Sequence, residues 1–158
     1  MSGKITPFLW FDGKAEEATR FYASVFKNSR LIDEIRYGEA GPGPKGALMS
    51  VTFELEGQKF IALNGGPQFK FTPAISFFVR CETQEEVDRL WDRLLDGGEP
   101  VQCGWLRDRY GLSWQIVPDG LERMLRDADA ARSTRVMRAM LKMIKLDIAA
   151  LQRAYDQA

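Results

Sequence analysis

The segment Trp105-Leu-Arg-Asp-Arg-Tyr-Gly-Leu-Ser-Trp-Gln-Ile-Val-Pro118 decides the fold of this chain. It predicts a β-hairpin whose first strand runs to Arg109, whose turn is Tyr110-Gly111 and whose second strand alternates with a period of two. The apolar side chains of the second strand, which we expect to face a covering helix, are Leu112, Trp114 and Ile116. The side chains of its opposite face are Ser113, Gln115 and Val117. Because a polar amide stands in the middle of this opposite face, the pattern indicates that the face lines a cavity.

The same order of elements is predicted twice along the chain, as one strand, one helix and three strands. The first copy comprises a strand at 5–11, a helix at 15–26 and strands at 31–37, 47–55 and 58–63. The second copy comprises a strand at 73–80, a helix at 83–95 capped by Thr83, a weak strand at 99–103 and the hairpin. Such a repeat indicates an internal duplication, and it predicts an α+β fold of two tandem βαβββ modules.

The C-terminal segment departs from this repeat because it is predicted to be helical throughout. Asp147 is expected to cap the last helix, with Leu146 and Leu151 in contact as a hydrophobic staple. A methionine-rich stripe is expected to pack against the sheet or a second copy of the chain, and its members are Val136, Met137, Met140, Leu141 and Ile144. The predicted organisation is paired modules over 1–118, divided into about 1–67 and 68–118, followed by a helical extension over 119–158.

The composition restricts the partners of the protein. Of the 158 residues, 22 are Lys or Arg and 22 are Asp or Glu, so the formal net charge is zero. Nucleic acid binding rests on clustered positive charge, and the early apolar run is too short for a signal peptide or a membrane span. We therefore expect no nucleic acid partner, no membrane association and a cytoplasmic location. Cys81 and Cys103 are expected to be free thiols.

Several stretches carry a resemblance to a known family. They are Ile5-Thr-Pro-Phe-Leu-Trp-Phe-Asp12, Glu16-Glu-Ala-Thr-Arg-Phe-Tyr22, Ala62-Leu-Asn-Gly-Gly-Pro67, Ala74-Ile-Ser-Phe77, the segment from Gly104 to Pro118, and Lys145-Leu-Asp-Ile-Ala-Ala-Leu151. With the doubled βαβββ order, they resemble the vicinal oxygen chelate superfamily of glyoxalase I, bleomycin-resistance proteins and extradiol dioxygenases. The closer resemblance is to its PhnB-like branch, labelled 3-demethylubiquinone-9 3-methyltransferase. This resemblance implies a curved mixed sheet around a cleft, and usually a homodimer.

The resemblance also implies where a metal ion would bind, with histidine from the first strand of each module and a carboxylate from the last. The corresponding positions in this sequence hold Ile5 or Pro7, Ala62, Ala74 and Gln115. The chain contains no histidine, and one neutral amide oxygen cannot hold a catalytic divalent ion alone. We therefore expect no functional metal site and no cofactor.

The cavity expected in its place is lined by residues that share the parity of Gln115 on their strands. The duplication adds Ala62 and Ala74 to this set, Trp105 and Arg107 extend the wall, and Phe69 lies in a loop over 64–71 that could cover it. The candidate ligand-binding residues are Gln115, Ser113, Asn64, Ser76, Phe78, Trp105, Arg107 and Phe69. The alternative is that the aromatic side chains plug the sheet and leave no cavity.

Three functions remain open at this stage. The first expectation is a protein that binds a small, partly apolar molecule, as antibiotic-binding members of the superfamily do. The second is an enzyme of the same superfamily, either metal-dependent or metal-free with Gln115, Asn64 and Arg107 orienting a substrate. The third is a partner protein whose cavity is filled. Methyl transfer is not expected, because the sequence lacks the glycine-rich turn between a parallel strand and a helix that a Rossmann-type methyltransferase needs.

Overall fold

The computed structural model describes residues 3–157, and the chain divides into two compact units between Phe71 and Thr72. Each unit contains one βαβββ module with a four-stranded mixed sheet, and the second also contains the C-terminal helices. The predicted α+β fold of two tandem modules with a helical C-terminal segment is therefore confirmed.

The first unit is built on the strands β1 (Phe8–Phe11), β2 (Ser29–Arg36), β3 (Leu48–Leu55) and β4 (Gln58–Asn64) with the helix α1 (Ala15–Val25). The strands lie in the order β1-β4-β3-β2, and β1 runs parallel to β4. Helix α1 buries Tyr22 against the ring of Phe53, and Phe53 stacks on Phe60 across the β3–β4 pair. One face of this sheet is therefore the core beneath α1.

Strand β2 lies at the edge of the first sheet, where one side of its backbone has no partner strand within residues 3–157. Every residue from Arg30 to Arg36 is exposed. Leu31, Ile32 and Ile35 are large apolar side chains among them. An edge strand with apolar side chains invites pairing with another chain unless it is covered.

The second unit is built on the strands β5 (Ser76–Cys81), β6 (Glu99–Pro100), β7 (Trp105–Arg107) and β8 (Ser113–Pro118) with the helix α2 (Gln84–Leu95). The strands lie in the order β5-β8-β7-β6, with β5 parallel to β8. The Thr83 side chain accepts a hydrogen bond from the Glu86 backbone N–H, as the sequence predicted. The helix covers the face of β8 that carries Trp114 and Ile116, both of which are buried.

The hairpin between β7 and β8 differs from the predicted two-residue turn. Strand β7 ends at Arg107 and β8 begins at Ser113, so residues 108–112 form a longer connection. The carboxylate of Asp108 accepts hydrogen bonds from the backbone N–H groups of Tyr110 and Leu112, at 2.8 and 3.0 Å, and from the indole N–H of Trp114 at 2.9 Å. The Asp108 backbone N–H also donates to the Leu112 carbonyl at 2.8 Å, so the backbone and the side chain of Asp108 close this connection together.

Three predicted strands are shorter in the structure. Strand β1 begins at Phe8 and not at residue 5, and β5 begins at Ser76 because residues 73–75 lie in a turn and bend. The strand expected over 99–103 ends at Pro100. Cys103 and Gly104 adopt positive φ, and their backbone N–H groups donate to the carbonyls of Met143 and Ile144 instead of a neighbouring strand.

The C-terminal segment forms three helices, α3 (Leu121–Leu125), α4 (Ala130–Leu141) and α5 (Ile148–Asp156). The Asp147 side chain accepts a hydrogen bond from the Ala150 backbone N–H at 2.9 Å, so the predicted cap is confirmed. The buried core of this segment consists of Val117, Leu121, Met124, Val136, Leu146 and Leu151. Of the expected stripe, Met137, Leu141 and Ile144 are exposed. Among the described residues, no helix is long and apolar enough to cross a membrane.

The buried position of Leu146 allows a test of this C-terminal core. Leu146 is fully buried and Leu141 is 56% exposed. We expect Leu146→Ala to lower the free energy of unfolding by about 2–5 kcal/mol, because the change removes buried methyl groups and leaves a cavity. The matched control Leu141→Ala should change it by less than about 0.5 kcal/mol. Urea unfolding measures both, and an equal effect of the two changes would contradict the packing described here.

Candidate functional site

One face of the second sheet gathers most of the candidate residues, and we call it the Gln115 face. Residues paired across strands point to the same side, so the pairing of β8 with β5 and β7 defines the face. Its members are Ser76, Phe78 and Arg80 of β5, Ser113, Gln115 and Val117 of β8, and Trp105 and Arg107 of β7. Six of the eight candidate residues therefore lie together on one surface.

The centre of the Gln115 face is a row of three side chains. Gln115 pairs with Phe78 on one side and with Trp105 on the other. Phe78 is 42% exposed, whereas Gln115 and Trp105 are half-buried. The row thus places one amide between two aromatic side chains, all of them reachable from solvent.

The orientation of the Gln115 amide is fixed by a neighbour in the next row. Its Nε2 donates a hydrogen bond to the Ser76 hydroxyl oxygen at 2.9 Å. Ser76 pairs with Ser113, and Ser113 pairs with Arg107, whose guanidinium lies 3.2 Å from the Glu99 carboxylate. One side of the face is therefore lined by hydroxyl groups and a compensated ion pair.

The other side of the Gln115 face borders the C-terminal segment. Val117 belongs to the buried core of that segment. Arg80, which pairs with Val117, lies 3.6 Å from the carboxylate of Glu122 on α3. The Arg80 guanidinium also lies over the ring of Phe78, 5.3 Å from its centroid. In this row Val117 is covered, whereas the Arg80 side chain is 62% exposed.

The placement of Asn64 and Ala62 corrects the expectation for the first module. Ala62 is fully buried, and the Asn64 side chain accepts a hydrogen bond from the Ala15 backbone N–H at 2.9 Å and donates to the Leu48 carbonyl at 3.2 Å. Both residues therefore face α1, on the covered side of the sheet. The predicted correspondence between the two modules is wrong by one residue. Strands β4 and β8 correspond when their last residues, Asn64 and Pro118, are aligned. Ile61, three residues before the end of β4, then takes the place of Gln115.

Phe69 and Ala74 also have environments different from those expected. The Phe69 ring packs edge-on against Trp10 in the first unit, with ring centroids 4.9 Å apart. The Trp10 indole N–H donates to the Gly66 carbonyl at 2.9 Å, so the loop over 65–71 covers Trp10. Ala74 lies in the turn before β5 and not on the strand.

Asp108, in the connection between β7 and β8, is a structurally important residue that the sequence analysis did not predict. The sequence predicts it inside a strand, but the residue is only 3% exposed and its carboxylate accepts hydrogen bonds from the N–H groups of Tyr110, Leu112 and Trp114. The signal that could have revealed it is an aspartate two residues before Tyr110-Gly111, a pattern typical of turns closed by their own side chain. Its contacts fix the start of β8, and with it the register of Gln115.

The two cysteines are free thiols in the structure, as expected, and they differ in burial. Cys81 ends β5 and is fully buried, whereas Cys103 is partly exposed. Burial, with the nearby negative charges of Glu86 and Asp119, raises the pKa of the Cys81 thiol to about 12. Cys81 is therefore protonated at neutral pH and has no thiolate for chemistry.

Metal-binding side chains are not gathered anywhere in the part of the chain that the structure describes. Among residues 3–157, no three His, Cys, Asp or Glu side chains form a group that could hold a metal ion.

Comparison with known proteins places the chain in a family. The family model described as 3-demethylubiquinone-9 3-methyltransferase matches residues 3–117. A Bacillus cereus structure, described as a putative 3-demethylubiquinone-9 3-methyltransferase and PhnB protein, is 42% identical, with 73% of this chain and 99% of that chain covered and a TM-score of 0.67. The C-terminal helices and the motif over 145–151 lie outside the range that the family model matches.

Two further structures share the fold at lower identity. Protein PA1353 of Pseudomonas aeruginosa is 22% identical, with 74% of this chain and 98% of that chain covered and a TM-score of 0.62. The fosfomycin resistance protein FosX of Listeria monocytogenes, in complex with Mn(II) and sulfate, is 19% identical, with 80% and 97% covered and a TM-score of 0.54. Among curated proteins, no significant match exists.

The difference between the two thiols predicts a selective modification. With a disulfide reagent at pH 8, we expect the native protein to react at Cys103 and the Cys81 thiol to stay protected, because Cys81 is buried and its pKa is raised to about 12. Both thiols should react in denaturant. The control is the Cys103→Ser variant, whose one remaining thiol, Cys81, should not react with the reagent until the protein is unfolded. A native Cys103→Ser protein that reacts as fast as free cysteine would contradict the burial of Cys81.

Proposed function

The chain belongs to the family described as 3-demethylubiquinone-9 3-methyltransferase, within the vicinal oxygen chelate superfamily, and from this premise we propose that it binds a small, partly apolar molecule on the Gln115 face. The observation that carries the proposal is the Gln115 amide, held by Ser76 between Phe78 and Trp105 on a face that solvent reaches. Binding sites for small molecules combine apolar and aromatic walls with a few oriented polar groups, which is the arrangement here.

Methyl transfer, which the family description names, is not part of this proposal. A Rossmann-type methyltransferase binds its cofactor at a glycine-rich turn between a parallel strand and a helix. In this chain the two such connections are Asp12-Gly13-Lys14, before α1, and Glu82-Thr83, before α2. One contains a single glycine and the other contains none, so neither supports this mode of cofactor binding.

We propose that the protein works without a metal ion. The superfamily implies ligands from the first and last strands of each module, and the residues found there do not fit a divalent ion. On the uncovered face these strands carry Phe8 and Trp10 in β1, Ile61 and Leu63 in β4, Ser76 and Phe78 in β5, and Ser113 and Gln115 in β8. The set offers a neutral amide and two hydroxyls, whereas Mg²⁺ and Mn²⁺ favour carboxylates and Zn²⁺ favours imidazole or thiolate.

An enzyme of the same superfamily was the alternative expectation, and the contacts of its named residues favour binding instead. The Asn64 amide is engaged with Ala15 and Leu48 beneath α1. Arg107 is paired with Glu99. Of the three side chains expected to orient a substrate, Gln115 alone lies at the centre of the Gln115 face.

A homodimer in the cytoplasm is also part of the proposal. The exposed edge strand β2 supports it, because Leu31, Ile32 and Ile35 are apolar side chains that a second copy of the chain could cover.

The absence of a resident metal predicts a negative analytical result. Tag-free protein purified without chelator should contain well under one equivalent of zinc, iron, nickel or manganese per chain by elemental analysis. Added Mn²⁺ should leave the midpoint of thermal unfolding unchanged, because an ion that does not bind the native state cannot stabilise it. A stoichiometric metal, lost on chelation together with thermal stability, would refute this part of the proposal.

The binding proposal is tested with Gln115→Leu. The unfolding free energy should change by less than about 1 kcal/mol, because the amide is half-buried and water can replace it at Ser76. A library of small aromatic and aliphatic fragments is screened by backbone amide NMR. We expect hits to shift residues 76–80, 105–107 and 113–117, and to bind the variant at least threefold more weakly.

The control for this experiment is Gln58→Leu, which changes an exposed glutamine on β4 of the other sheet. It should leave fragment binding unchanged. The proposal is rejected if no fragment shifts the residues of the Gln115 face, or if Gln115→Leu costs about 2 kcal/mol or more, as expected for a polar core residue.

A further inference from the structure

The central row of the Gln115 face holds polar and aromatic groups without partners in the described part of the chain. The Gln115 Nε2 is bound to Ser76, but its Oε1 accepts no hydrogen bond from residues 3–157. The indole N–H of Trp105 likewise has no acceptor there, whereas those of Trp10 and Trp114 donate to the Gly66 carbonyl and to Asp108. The row therefore offers one free acceptor and one free donor.

The rings of Phe78 and Trp105 are also without aromatic neighbours. Several aromatic side chains elsewhere in the described chain pack in pairs, as Phe77 does with Trp114 at 5.4 Å between ring centroids. Neither Phe78 nor Trp105 makes such a pair with another described residue. The aromatic contact of Phe78 is with the Arg80 guanidinium on its own strand.

The spacing of the row leaves room for one ring between its two aromatic side chains. Phe78 and Trp105 stand on the strands either side of β8, so their backbones are two strand spacings apart, about 9.6 Å. A ring in van der Waals contact with aromatic side chains on both sides needs about 7–8 Å. A planar aromatic ring over Gln115 can present one π face to each of these side chains, whereas a saturated ring of similar size has no π face to stack.

No member of the row is charged, and the two arginines beside it each contact a carboxylate, which favours a neutral ligand. Arg107 is paired with Glu99 at 3.2 Å, and Arg80 with Glu122 at 3.6 Å. The two guanidinium groups flank the row on opposite sides, and Arg80 shares the Glu122 carboxylate with Arg126 at 3.7 Å. Neither is left as an unpaired cation for an anionic ligand.

We infer that the Phe78–Gln115–Trp105 row binds a neutral planar aromatic ring that carries an O–H or N–H group, with that group donating to the Oε1 of Gln115. This inference rests on the proposed function, since it names the chemical class of the molecule that the Gln115 face binds. The two aromatic side chains select for planarity, and the amide oxygen selects for a donor on the ring.

Three matched probes separate these requirements. They are 2-naphthol, which is planar with a donor, 2-methoxynaphthalene, which is planar without one, and decahydro-2-naphthol, which has the donor and no planar ring. We expect 2-naphthol to bind roughly fivefold more tightly than 2-methoxynaphthalene, the factor that one net hydrogen bond of ordinary strength supplies. Decahydro-2-naphthol should bind more weakly than both. Affinities are measured by NMR titration of the full-length protein.

The variants assign each preference to its side chain. Gln115→Leu should remove the difference between the two naphthalenes, while Gln58→Leu should keep it. Phe78→Leu and Trp105→Leu should each weaken both naphthalenes about fivefold and bring their affinities towards that of decahydro-2-naphthol. Amide NMR spectra of each variant confirm that the fold is retained before titration.

The outcomes distinguish this inference from the proposed function. If decahydro-2-naphthol shifts the residues of the Gln115 face and binds as tightly as 2-naphthol, the face binds small molecules without a requirement for planarity, and the inference alone is overturned. If 2-naphthol and 2-methoxynaphthalene bind the unmodified protein with equal affinity, the Gln115 oxygen does not accept a hydrogen bond from the ligand. The inference is then overturned, and the proposed function is not. If neither these probes nor the fragment library shifts the Gln115 face, the proposed function falls and the inference falls with it.

Discussion

Strand β8 imposes the constraint on which the second unit depends, because it is flanked by strands on both sides and its side chains alternate strictly. Trp114 and Ile116 are buried towards α2, so Gln115 must point the other way. A slip by one residue would move the amide into the helix-covered core and the indole out of it. The buried Asp108 carboxylate opposes such a slip, since it binds the Leu112 backbone N–H and the Trp114 indole N–H at once.

The C-terminal helices depend on the same strand. Val117 continues the Gln115 face by two residues, yet it belongs to the core of the C-terminal segment. The segment is fixed to the second unit by backbone hydrogen bonds at Cys103 and Gly104, and by the Gln84 side chain, which donates to the Leu146 carbonyl and accepts from the Ile148 N–H. A Cβ at Gly104 would lie 2.9 Å from the Leu146 side chain, so this close approach requires glycine. The segment thereby covers the Val117 end of β8.

Local sequence patterns predicted the features that depend only on residues close together in the chain. The burial of Trp114 and Ile116, the Thr83 cap and the Asp147 cap all follow from local patterns and are confirmed. The five-residue hairpin connection was missed, because it depends on bonds from one side chain to its own backbone.

The orientation of Asn64 was missed because the register between two copies of a module is fixed by strand pairing, which no local pattern records. In the second module Ser113 and Gln115 follow from the β8 alternation itself, and the structure places them on one face with the four other candidate residues of that module. In the first module they were transferred through the duplication, and an error of one residue reverses the face. Ile61 of the first module occupies the position equivalent to Gln115, and Trp10 occupies the position equivalent to Arg80. The loop over 65–71 covers Trp10 through contacts of Gly66 and Phe69. In the first module the loop covers Trp10 and an apolar Ile61 takes the place of the amide, although Phe8 stays 57% exposed. The second module keeps an oriented amide between two aromatic side chains that lack aromatic neighbours among the described residues, which is why we assign binding to it.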